Sequence, residues 1–355
     1  MKIMQVIPAL GMGGAEKVLE HLVRCQSKNG DEVIVVTFYD EKSPVYEAIQ
    51  KMNITNICLH KVPGIDISII AKLKRIIRAY EPDIIHTHLY AIPYVFLASG
   101  KKPIVHTVHS IASKEQDNRT RPLCQFIYRS KKCTVVAINE YVRDSLIEEY
   151  HMQESRLKVV YNGVDLYECM PKSEYDNNGK LRIISVASLI PLKNHRLMIE
   201  AVKILKDQGI ETELYCLGGG CEKENLISYS KEMNVFENVK FLGIIENVYP
   251  YLHSADVFIL PSQYEGVPMS LIEAMGTGLP VIVTNRGGTV NMIQNGVTGI
   301  LIDPSSKELS EALKKLANDA ALRQQIGEEA YKASKTYSSD KMRERYEDIY
   351  LSRLQ

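Results

Sequence analysis

Residues 265–273 read Glu265-Gly266-Val267-Pro268-Met269-Ser270-Leu271-Ile272-Glu273. The apolar run Val257-Phe258-Ile259-Leu260 precedes this stretch and is typical of a buried strand, while residues 271–275 are typical of a helix. Pro268 suits the first position of that helix, where a missing N–H costs nothing. The stretch is therefore predicted to connect a parallel strand to the helix that follows it.

This connection has the features of an anion-binding site. The amides of Val267, Met269 and Ser270 fall before or within the first helical turn, where N–H groups have no partner inside the helix. Glu265 would lie on the loop, and Glu273 would lie about a turn and a half inside the helix. Carboxylates on either side of a phosphate site suit a nucleotide sugar, whose ribose, diphosphate and hexose follow in that order.

The composition is that of a soluble globular protein. The 355 residues are 45% hydrophobic and 24% charged, a length that suggests two domains. The formal charge is zero, so no nucleic-acid partner is expected. The seven scattered cysteines fit reduced thiols. No apolar run reaches membrane-spanning length, and residues 1–8 are too short for a signal peptide, so a cytoplasmic location is expected.

Short apolar runs alternate with helical patterns along the whole chain. Strands are predicted at residues 3–8, 33–38, 57–60, 84–86, 104–108, 134–138 and from 159, and again at 182–186, 213–217, 239–242, 257–260, 280–283 and 299–302. Runs rich in Val and Ile that alternate with helices indicate parallel sheets covered on both faces. Two such halves predict two doubly wound domains. The polar segment 166–180 is predicted to be the linker between them.

Other predicted connections carry glycines and histidines. Gly11-Met12-Gly13-Gly14-Ala15-Glu16 follows the first strand, where glycines let a backbone approach a phosphate or sugar closely. The spacing is not G-x-G-x-x-G, and Asp40 is the nearest acidic residue to the end of the second strand, which disfavours a nicotinamide-dependent dehydrogenase. His109 falls at the end of the strand 104–108, and His86 and His88 fall at another strand end.

The stretch 238–302, with its two glutamates eight positions apart, resembles the C-terminal signature of retaining glycosyltransferases of family 4. That resemblance implies the GT-B fold, an α/β architecture of two Rossmann-like domains whose parallel sheets face a central cleft. Residues 1–168 would form the acceptor-binding domain and 169–337 the nucleotide-sugar donor-binding domain. The last helix, 338–355, would cross back to the first domain.

The resemblance also assigns roles to residues by position. Catalytic roles fall on His109, Lys193 and Glu265; Glu265 would hold the donor sugar's hydroxyls and Glu273 the ribose hydroxyls. The remaining donor-binding positions are Gly13, Gly14, Ser188, Gly218, Gly219, Gly266, Val267, Pro268, Met269 and Ser270. Many relatives carry arginine where this chain has Ser188, so here only Lys193 of an Arg–Lys clamp for the diphosphate is present. Arg196 either compensates or is a solvated helix residue.

The resemblance implies transfer of a hexosyl unit from a nucleotide sugar, with a UDP-sugar favoured, to a sugar or lipid-linked sugar acceptor with retention of configuration. Such chemistry serves polysaccharide or glycoconjugate biosynthesis. No D-x-D pair stands at a strand end and no His/Cys cluster is present, so neither a metal nor a cofactor is expected. Two alternatives stay open: a nucleotide-sugar epimerase on the same architecture, and a non-catalytic nucleotide-sugar-binding subunit.

The first domain is predicted to meet the inner face of a membrane. Residues 1–165 contain 22 Lys and Arg against 18 Asp and Glu, a formal +4. The helix predicted within 65–80 carries Lys72, Lys74, Arg75 and Arg78 together with several isoleucines, and it could lie peripherally at an anionic leaflet. In the alternative reading, the isoleucines face the sheet.

Overall fold

The computed structural model describes residues 1–115, 120–176 and 179–354. The chain forms two compact units, one comprising Met1–Val164 with Ser339–Gln355 and the other Asp165–Ser338. Each unit is built around one parallel sheet with helices between successive strands. The division falls a few residues before the boundary predicted at 168.

The first unit contains a seven-stranded parallel sheet in the order β3-β2-β1-β4-β5-β6-β7. Its strands are β1 Lys2–Ile7, β2 Glu32–Thr37, β3 Thr55–Cys58, β4 Ile84–His88, β5 Ile104–Val108, β6 Cys133–Ala137 and β7 Leu157–Val159. Its helices are α1 Gly14–Lys28, α2 Pro44–Lys51, α3 Ser68–Tyr80, α4 Ile92–Ala98, α5 Ala112–Glu115, α6 Arg121–Arg129, α7 Glu140–Tyr150 and α15 Ser339–Leu354. The central strands β4 and β5 are buried along their whole length, as expected where helices cover both faces.

The second unit contains a six-stranded parallel sheet in the order β10-β9-β8-β11-β12-β13. Its strands are β8 Leu181–Val186, β9 Thr212–Leu217, β10 Val239–Gly243, β11 Val257–Leu260, β12 Val281–Thr284 and β13 Ile300–Ile302. Its helices are α8 Leu166–Cys169, α9 His195–Asp207, α10 Lys223–Glu232, α11 Tyr249–Ser254, α12 Met269–Gly276, α13 Ser306–Asn318 and α14 Ala320–Ser334. The predicted fold class, two Rossmann-like α/β units with parallel sheets, is confirmed.

The strand order reverses once in each sheet. In the first unit the reversal lies between β1 and β4, and in the second unit it lies between β8 and β11. In open α/β sheets, ligands bind outside the carboxyl ends of the strands at such a switch point. The connections that leave β8 and β11, which contain Lys193 and Glu265, are therefore neighbours at a binding position.

The segment 166–180 differs from the polar linker predicted for it. It begins with the short helix α8, and its Cys169 and Tyr175 are buried. The Tyr175 hydroxyl donates a hydrogen bond of 2.9 Å to the Gly278 carbonyl, and Lys172 Nζ donates one of 2.5 Å to the Ala255 carbonyl. Because these apolar and polar contacts hold the segment on the second unit, it is part of that unit. Residues 177 and 178 of the predicted linker lie outside the described residues.

The last described helix, α15, belongs to the first unit, as predicted from the resemblance. Tyr346 and Tyr350 on this helix are buried. The hydroxyl of Tyr346 lies 2.7 Å from Thr107 Oγ1, and that of Tyr350 lies 2.7 Å from His86 Nδ1. These contacts place side chains of α15 inside the core, next to β4 and β5.

Candidate active site

Glu265 lies on the loop after β11, and its carboxylate is held by two groups. Lys193 Nζ lies 2.5 Å from Oε1, and Ser262 Oγ donates a hydrogen bond of 2.6 Å to the same oxygen. The Glu265 side chain is 10% exposed and that of Lys193 is 19% exposed. The structure therefore brings together two residues predicted for catalysis, in a partly buried ion pair that water and salt screen less than a surface pair.

Hydrogen bonds to backbone carbonyls hold the connections that carry this pair in place. The Gln263 amide donates to the Leu192 carbonyl at 2.9 Å, which ties the loop after β11 to the single 3₁₀ turn Pro191–Lys193 after β8. Thr284 Oγ1, at the end of β12, donates to the Ser262 carbonyl at 2.6 Å. Three neighbouring connections thus fix the position of the Glu265 carboxylate.

A glycine pair after β12 also contacts the Glu265 backbone. The Gly288 amide donates a hydrogen bond of 2.9 Å to the Glu265 carbonyl. Gly287 has a φ of +67°, and a Cβ at this position would lie 2.6 Å from that carbonyl oxygen. Only glycine fits both requirements. Sequence reasoning gave Ser262 no role, whereas two glycines directly after a strand end are a usable signal for close backbone approach.

The helix α12 begins one residue later than predicted. Pro268 has φ −71° and ψ 122°, an extended conformation, and it is the N-cap rather than the first helical residue. Its carbonyl accepts hydrogen bonds from the amides of Leu271 and Ile272, at 3.1 and 3.4 Å. The amides of Met269 and Ser270 precede these first donors and lie at the positive end of the helix.

The remaining predicted residues of this connection lie around that helix start. Gly266 is half-buried, and Val267 is buried. Glu273 is on α12 and is also buried. The thiol of Cys169 lies close enough to interact with the Glu273 charge: burial, followed by the Glu273 charge, raises the pKa of that thiol to about 12. Glu273 therefore lies in the same unit as Glu265, on the helix that follows the Glu265 loop.

The three predicted residues after β8 and β9 lie on adjacent connections. Ser188 is exposed on the β8 connection. A Cβ on Gly218, whose φ is +144°, would collide with the Ala187 carbonyl oxygen. The Leu189 amide donates to the Gly219 carbonyl at 2.9 Å. The two glycines therefore let the β9 connection lie directly on the backbone around Ser188.

The missing arginine at Ser188 is not replaced by Arg196 in this structure. Arg196 is exposed on α9, and its guanidinium lies 4.7 Å from the centre of the Tyr229 ring. This cation–π contact directs the guanidinium towards α10. Lys193 is therefore the cation that the structure places against Glu265.

The predicted glycines of the first unit lie at the start of α1. Gly13 is the N-cap of this helix, and a Cβ there would collide with the carboxylate of Glu16. Burial raises the pKa of that carboxyl, and the nearby Glu41 raises it further. Around Gly14 nothing lies within 4 Å of a Cβ position. At this helix start, the Glu16 carboxylate therefore lies against Gly13, whereas no other atom crowds Gly14.

His109 is half-buried at the end of β5, as predicted from the sequence. Its Nε2 lies 3.0 Å from Nδ1 of the fully buried His88. Burial lowers the pKa of His109 to about 4, so the imidazole is neutral near pH 7. His86 and His88 are core residues with pKa values held well below the usual range by burial. Of these three histidines, His109 is therefore the one that reaches the surface.

A buried carboxyl beside His109 was missed by sequence reasoning. Glu115 Oε2 accepts hydrogen bonds from the amide and hydroxyl of Ser110, at 3.1 and 3.0 Å. Burial raises the pKa of Glu115 to about 7. A glutamate five residues after a strand-end serine gives no recognisable pattern, so only the structure reveals this contact.

The described part of the chain contains neither a metal-binding cluster nor a membrane-spanning helix. Among residues 1–115, 120–176 and 179–354, no group of three or more His, Cys, Asp or Glu side chains is placed to hold a metal ion. Over the same residues, no helix is long and apolar enough to cross a membrane.

Comparisons with known proteins cover nearly the whole chain. The family model for Glycosyltransferase Family 4 matches residues 12–168, and that for Glycosyl transferases group 1 matches residues 170–333. The chain is 28% identical over 290 residues to the UDP-Gal:alpha-D-GlcNAc-diphosphoundecaprenol alpha-1,3-galactosyltransferase of Escherichia coli, covering 72% of this chain and 73% of that one. It is 27% identical over 366 residues to the N-acetyl-alpha-D-glucosaminyl L-malate synthase of Bacillus anthracis, covering 96% and 94%.

Among solved structures, Anabaena HepE in complex with UDP superposes with a TM-score of 0.85 at 20% identity, over 99% of this chain and 100% of that one. This likeness shows a shared fold, and the two family matches show the family. The chain belongs to the group 1 glycosyltransferases of family 4 and is a glycosyltransferase with the GT-B fold.

Proposed function

We propose that this enzyme transfers a hexosyl unit from a UDP-sugar to a sugar or lipid-linked sugar acceptor, with retention of configuration. The observation that carries the proposal is the Lys193–Glu265 pair, which lies at the switch point of the second sheet on the connection leading into α12. Two comparisons support UDP: the E. coli relative is named for a UDP-Gal donor, and HepE binds UDP. The E. coli relative is also named for a lipid-linked acceptor.

Donor binding is assigned to the second unit. The Met269 and Ser270 amides at the positive end of α12 would bind the diphosphate together with the Lys193 ammonium. The bonds from Lys193 and Ser262 both go to Oε1 of Glu265. We therefore assign Oε2 to hydroxyls of the donor sugar. Glu273, buried further along α12, is assigned to the ribose hydroxyls.

The chemical step needs positive charge where the leaving group develops negative charge. The bond between the anomeric carbon and the diphosphate oxygen breaks, and a bond from the acceptor hydroxyl oxygen forms on the same face. The hydroxyl proton passes to the leaving phosphate. Lys193 and the helix amides stabilise the diphosphate as its charge grows, which lowers the barrier more than it strengthens ground-state binding. His109, being neutral, contributes a hydrogen bond to a sugar rather than a charge.

The set of side chains at the donor site suggests catalysis without a bound metal ion. Lys193 already supplies a cation beside Glu265, and no described cluster of His, Cys, Asp or Glu side chains is arranged as a metal site. We propose that the lysine and the helix N-terminus perform the charge stabilisation that a divalent ion performs elsewhere.

The acceptor is assigned to the first unit, at the inner face of a membrane. Ile69, Leu73 and Ile77 of α3 are buried, so these three apolar residues do not face a bilayer. Ile67, at the start of the helix, and Ile65 in the preceding turn are 76% and 91% exposed. The exposed stripe of α3 carries the basic residues Lys72, Lys74, Arg75 and Arg78. A basic stripe ending in two exposed isoleucines suits peripheral contact with anionic lipid.

The proposal is tested by measuring release of nucleoside diphosphate from UDP- and GDP-sugars, with and without a diphospho-lipid-linked sugar acceptor. We expect UDP release that depends on the acceptor and an α-configured product when the donor is α-linked. Conversion of the donor sugar without acceptor would show an epimerase instead. Binding of UDP without any turnover across the acceptor panel would show a non-catalytic subunit.

A further inference from the structure

A chain of buried polar side chains runs from His109 into the core of the first unit. His109 Nε2 lies 3.0 Å from His88 Nδ1, and His88 Nε2 lies 3.0 Å from the side-chain carbonyl oxygen of Gln5. Gln5 Nε2 in turn donates a 3.0 Å hydrogen bond to Gln26 Oε1. His88, Gln5 and Gln26 are at most 1% exposed, so these bonds form without competition from water.

The same chain continues to helix α15. Gln26 Nε2 donates to the Tyr350 hydroxyl at 3.3 Å, and that hydroxyl lies 2.7 Å from His86 Nδ1. His86 Nε2 lies 2.7 Å from Thr107 Oγ1, which lies 2.7 Å from the Tyr346 hydroxyl. Eight side chains are thus joined in one line, and the end that reaches the surface is His109.

The donor and the acceptor in each histidine hydrogen bond of this line can be assigned, because each neutral imidazole carries only one N–H. The Gln5 carbonyl oxygen can only accept, so His88 Nε2 carries the proton. His88 is neutral, since burial holds its pKa well below the usual range, and its Nδ1 must then accept from His109 Nε2–H. His109 is neutral as well, which leaves its Nδ1 with a free lone pair. Within residues 1–115, 120–176 and 179–354, no group is hydrogen-bonded to this Nδ1.

We propose that Gln5 and His88 are positioning residues that fix His109 in the Nε2–H tautomer, so that Nδ1 presents a hydrogen-bond acceptor to a hydroxyl of a sugar substrate. The second half of this inference rests on the proposed function, in which His109 contacts a sugar. The first half, the tautomer, depends only on the hydrogen-bond chain. A hydroxyl is the group that such an acceptor selects, and a sugar lacking it leaves Nδ1 unpaired.

The tautomer is tested on the full-length protein without substrate, by two-bond ¹H–¹⁵N correlation spectra after ¹⁵N-histidine labelling. We expect His109 to show a protonated Nε2 and an unprotonated Nδ1. In Gln5→Met, which keeps the side-chain shape but removes both hydrogen bonds, we expect His109 to change to the Nδ1–H tautomer or a mixture. A protonated Nδ1 in the wild type, or an unchanged His109 in Gln5→Met, would overturn the tautomer assignment.

A neighbouring histidine supplies the matched control. His106 is equally buried but belongs to a separate cluster, with Nδ1 2.8 Å from Thr87 Oγ1 and Nε2 3.1 Å from the Tyr128 hydroxyl. Thr87→Val should change the His106 signals and leave those of His109 as they are. In Gln5→Met the chemical shifts of His106 should not change, and this would show that the core has kept its fold.

An activity measurement then tests the role in transfer. Gln5→Met should lower kcat by about tenfold, the loss expected for one misdirected hydrogen bond, with a smaller change in the KM of the donor. The Thr87→Val variant should keep the wild-type kcat. If Gln5→Met changes the His109 tautomer but leaves kcat and KM unchanged, the proposed contact between His109 and a sugar is wrong. The donor-site assignments in the second unit have separate tests and would not be affected.

Discussion

Lys193 and Glu265 are 72 positions apart in sequence, yet Nζ of the first lies 2.5 Å from Oε1 of the second. They meet because β8 and β11 are neighbours in the sheet, so the connections leaving these strands run side by side. The pair joins a cation suited to a diphosphate with a carboxylate suited to sugar hydroxyls. Its position is set by strand order and not by local sequence.

Replacing Lys193 by methionine should lower kcat more than it raises the donor's KM. The lysine interacts with charge that grows towards the transition state, and loss of a charged hydrogen bond costs about 1.5–3 kcal/mol, or roughly tenfold and upward. Steady-state kinetics with saturating donor measures this. Lys203→Met is the control, since Lys203 pairs with Asp207 on an exposed helix face. Full turnover in Lys193→Met would make Lys193 a structural ion-pair residue only.

Replacing Glu273 by glutamine should weaken UDP binding by roughly tenfold or more, because the carboxylate would no longer accept charge-assisted hydrogen bonds from ribose. Calorimetric titration with UDP measures the effect without any acceptor. Glu232→Gln, at an exposed position of α10, is the matched control and should bind UDP as the wild type does. Equal UDP affinity in both variants would contradict the ribose assignment.

Gly287→Ala should disturb the Glu265 loop. Gly287 has a φ of +67°, and an added Cβ would lie 2.6 Å from the Glu265 carbonyl oxygen. Gly296→Ala is a close control, because its φ is +77° but nothing lies within 4 Å of the added Cβ. Backbone strain should lower the free energy of unfolding of both variants by about 1 kcal/mol. Only Gly287→Ala should also lose activity. Urea unfolding and turnover are compared in the two proteins.

Glu115 should make stability fall with rising pH. Burial raises the pKa of Glu115 to about 7 in the folded state from an ordinary value of 4.5, so the folded protein binds the proton more tightly than the unfolded chain. The stabilising effect is complete below pH 4.5 and is lost as pH rises through 7. Glu115→Gln should remove this component. The unfolding free energy of the variant minus that of the wild type should therefore increase between pH 5 and pH 8. A difference that stays constant over this range would contradict the buried-carboxyl assignment.

The basic stripe of α3 should govern binding to anionic vesicles. In Lys74→Gln with Arg78→Gln, two exposed positive charges are removed, and each contributes about 1 kcal/mol near an anionic leaflet. Co-sedimentation with vesicles of graded anionic content, at low and high salt, measures the loss. Lys307→Gln with Lys315→Gln removes two exposed charges from the second unit and is the control. Equal vesicle binding by both double variants would contradict a membrane-facing α3.

The fold could be predicted in detail because its signals are local. Runs of Val and Ile predict the strands, and the helix predicted within 65–80 lies at Ser68–Tyr80. Pro268 was misplaced by one position because its ring fixes φ but leaves ψ free to be extended. The prediction of a linker at 166–180 is wrong, since composition does not reveal that the Tyr175 hydroxyl donates to the Gly278 carbonyl within the second unit.

Less of the candidate site could be predicted than of the fold. Glu265 and His109 follow strand ends, and Glu273 lies on the helix after one of them, where sequence reasoning can find these residues. The Lys193 contact to Glu265, and the line from His109 to Tyr350, join residues that only the tertiary structure brings together. Hydrogen bonds over such separations leave no periodic pattern in a single sequence.

The return of α15 to the first unit has a consequence for synthesis. The first sheet is complete in sequence at Val159, but the tyrosines that fill its core next to His86 and Thr107 come from Ser339–Leu354. A ribosome working at about 5–20 residues per second needs roughly ten to thirty seconds to make the stretch between them. During that time the nascent first unit exposes Gln26 and His86 to water or to chaperones, while the second unit, continuous in sequence, is free to finish folding before it.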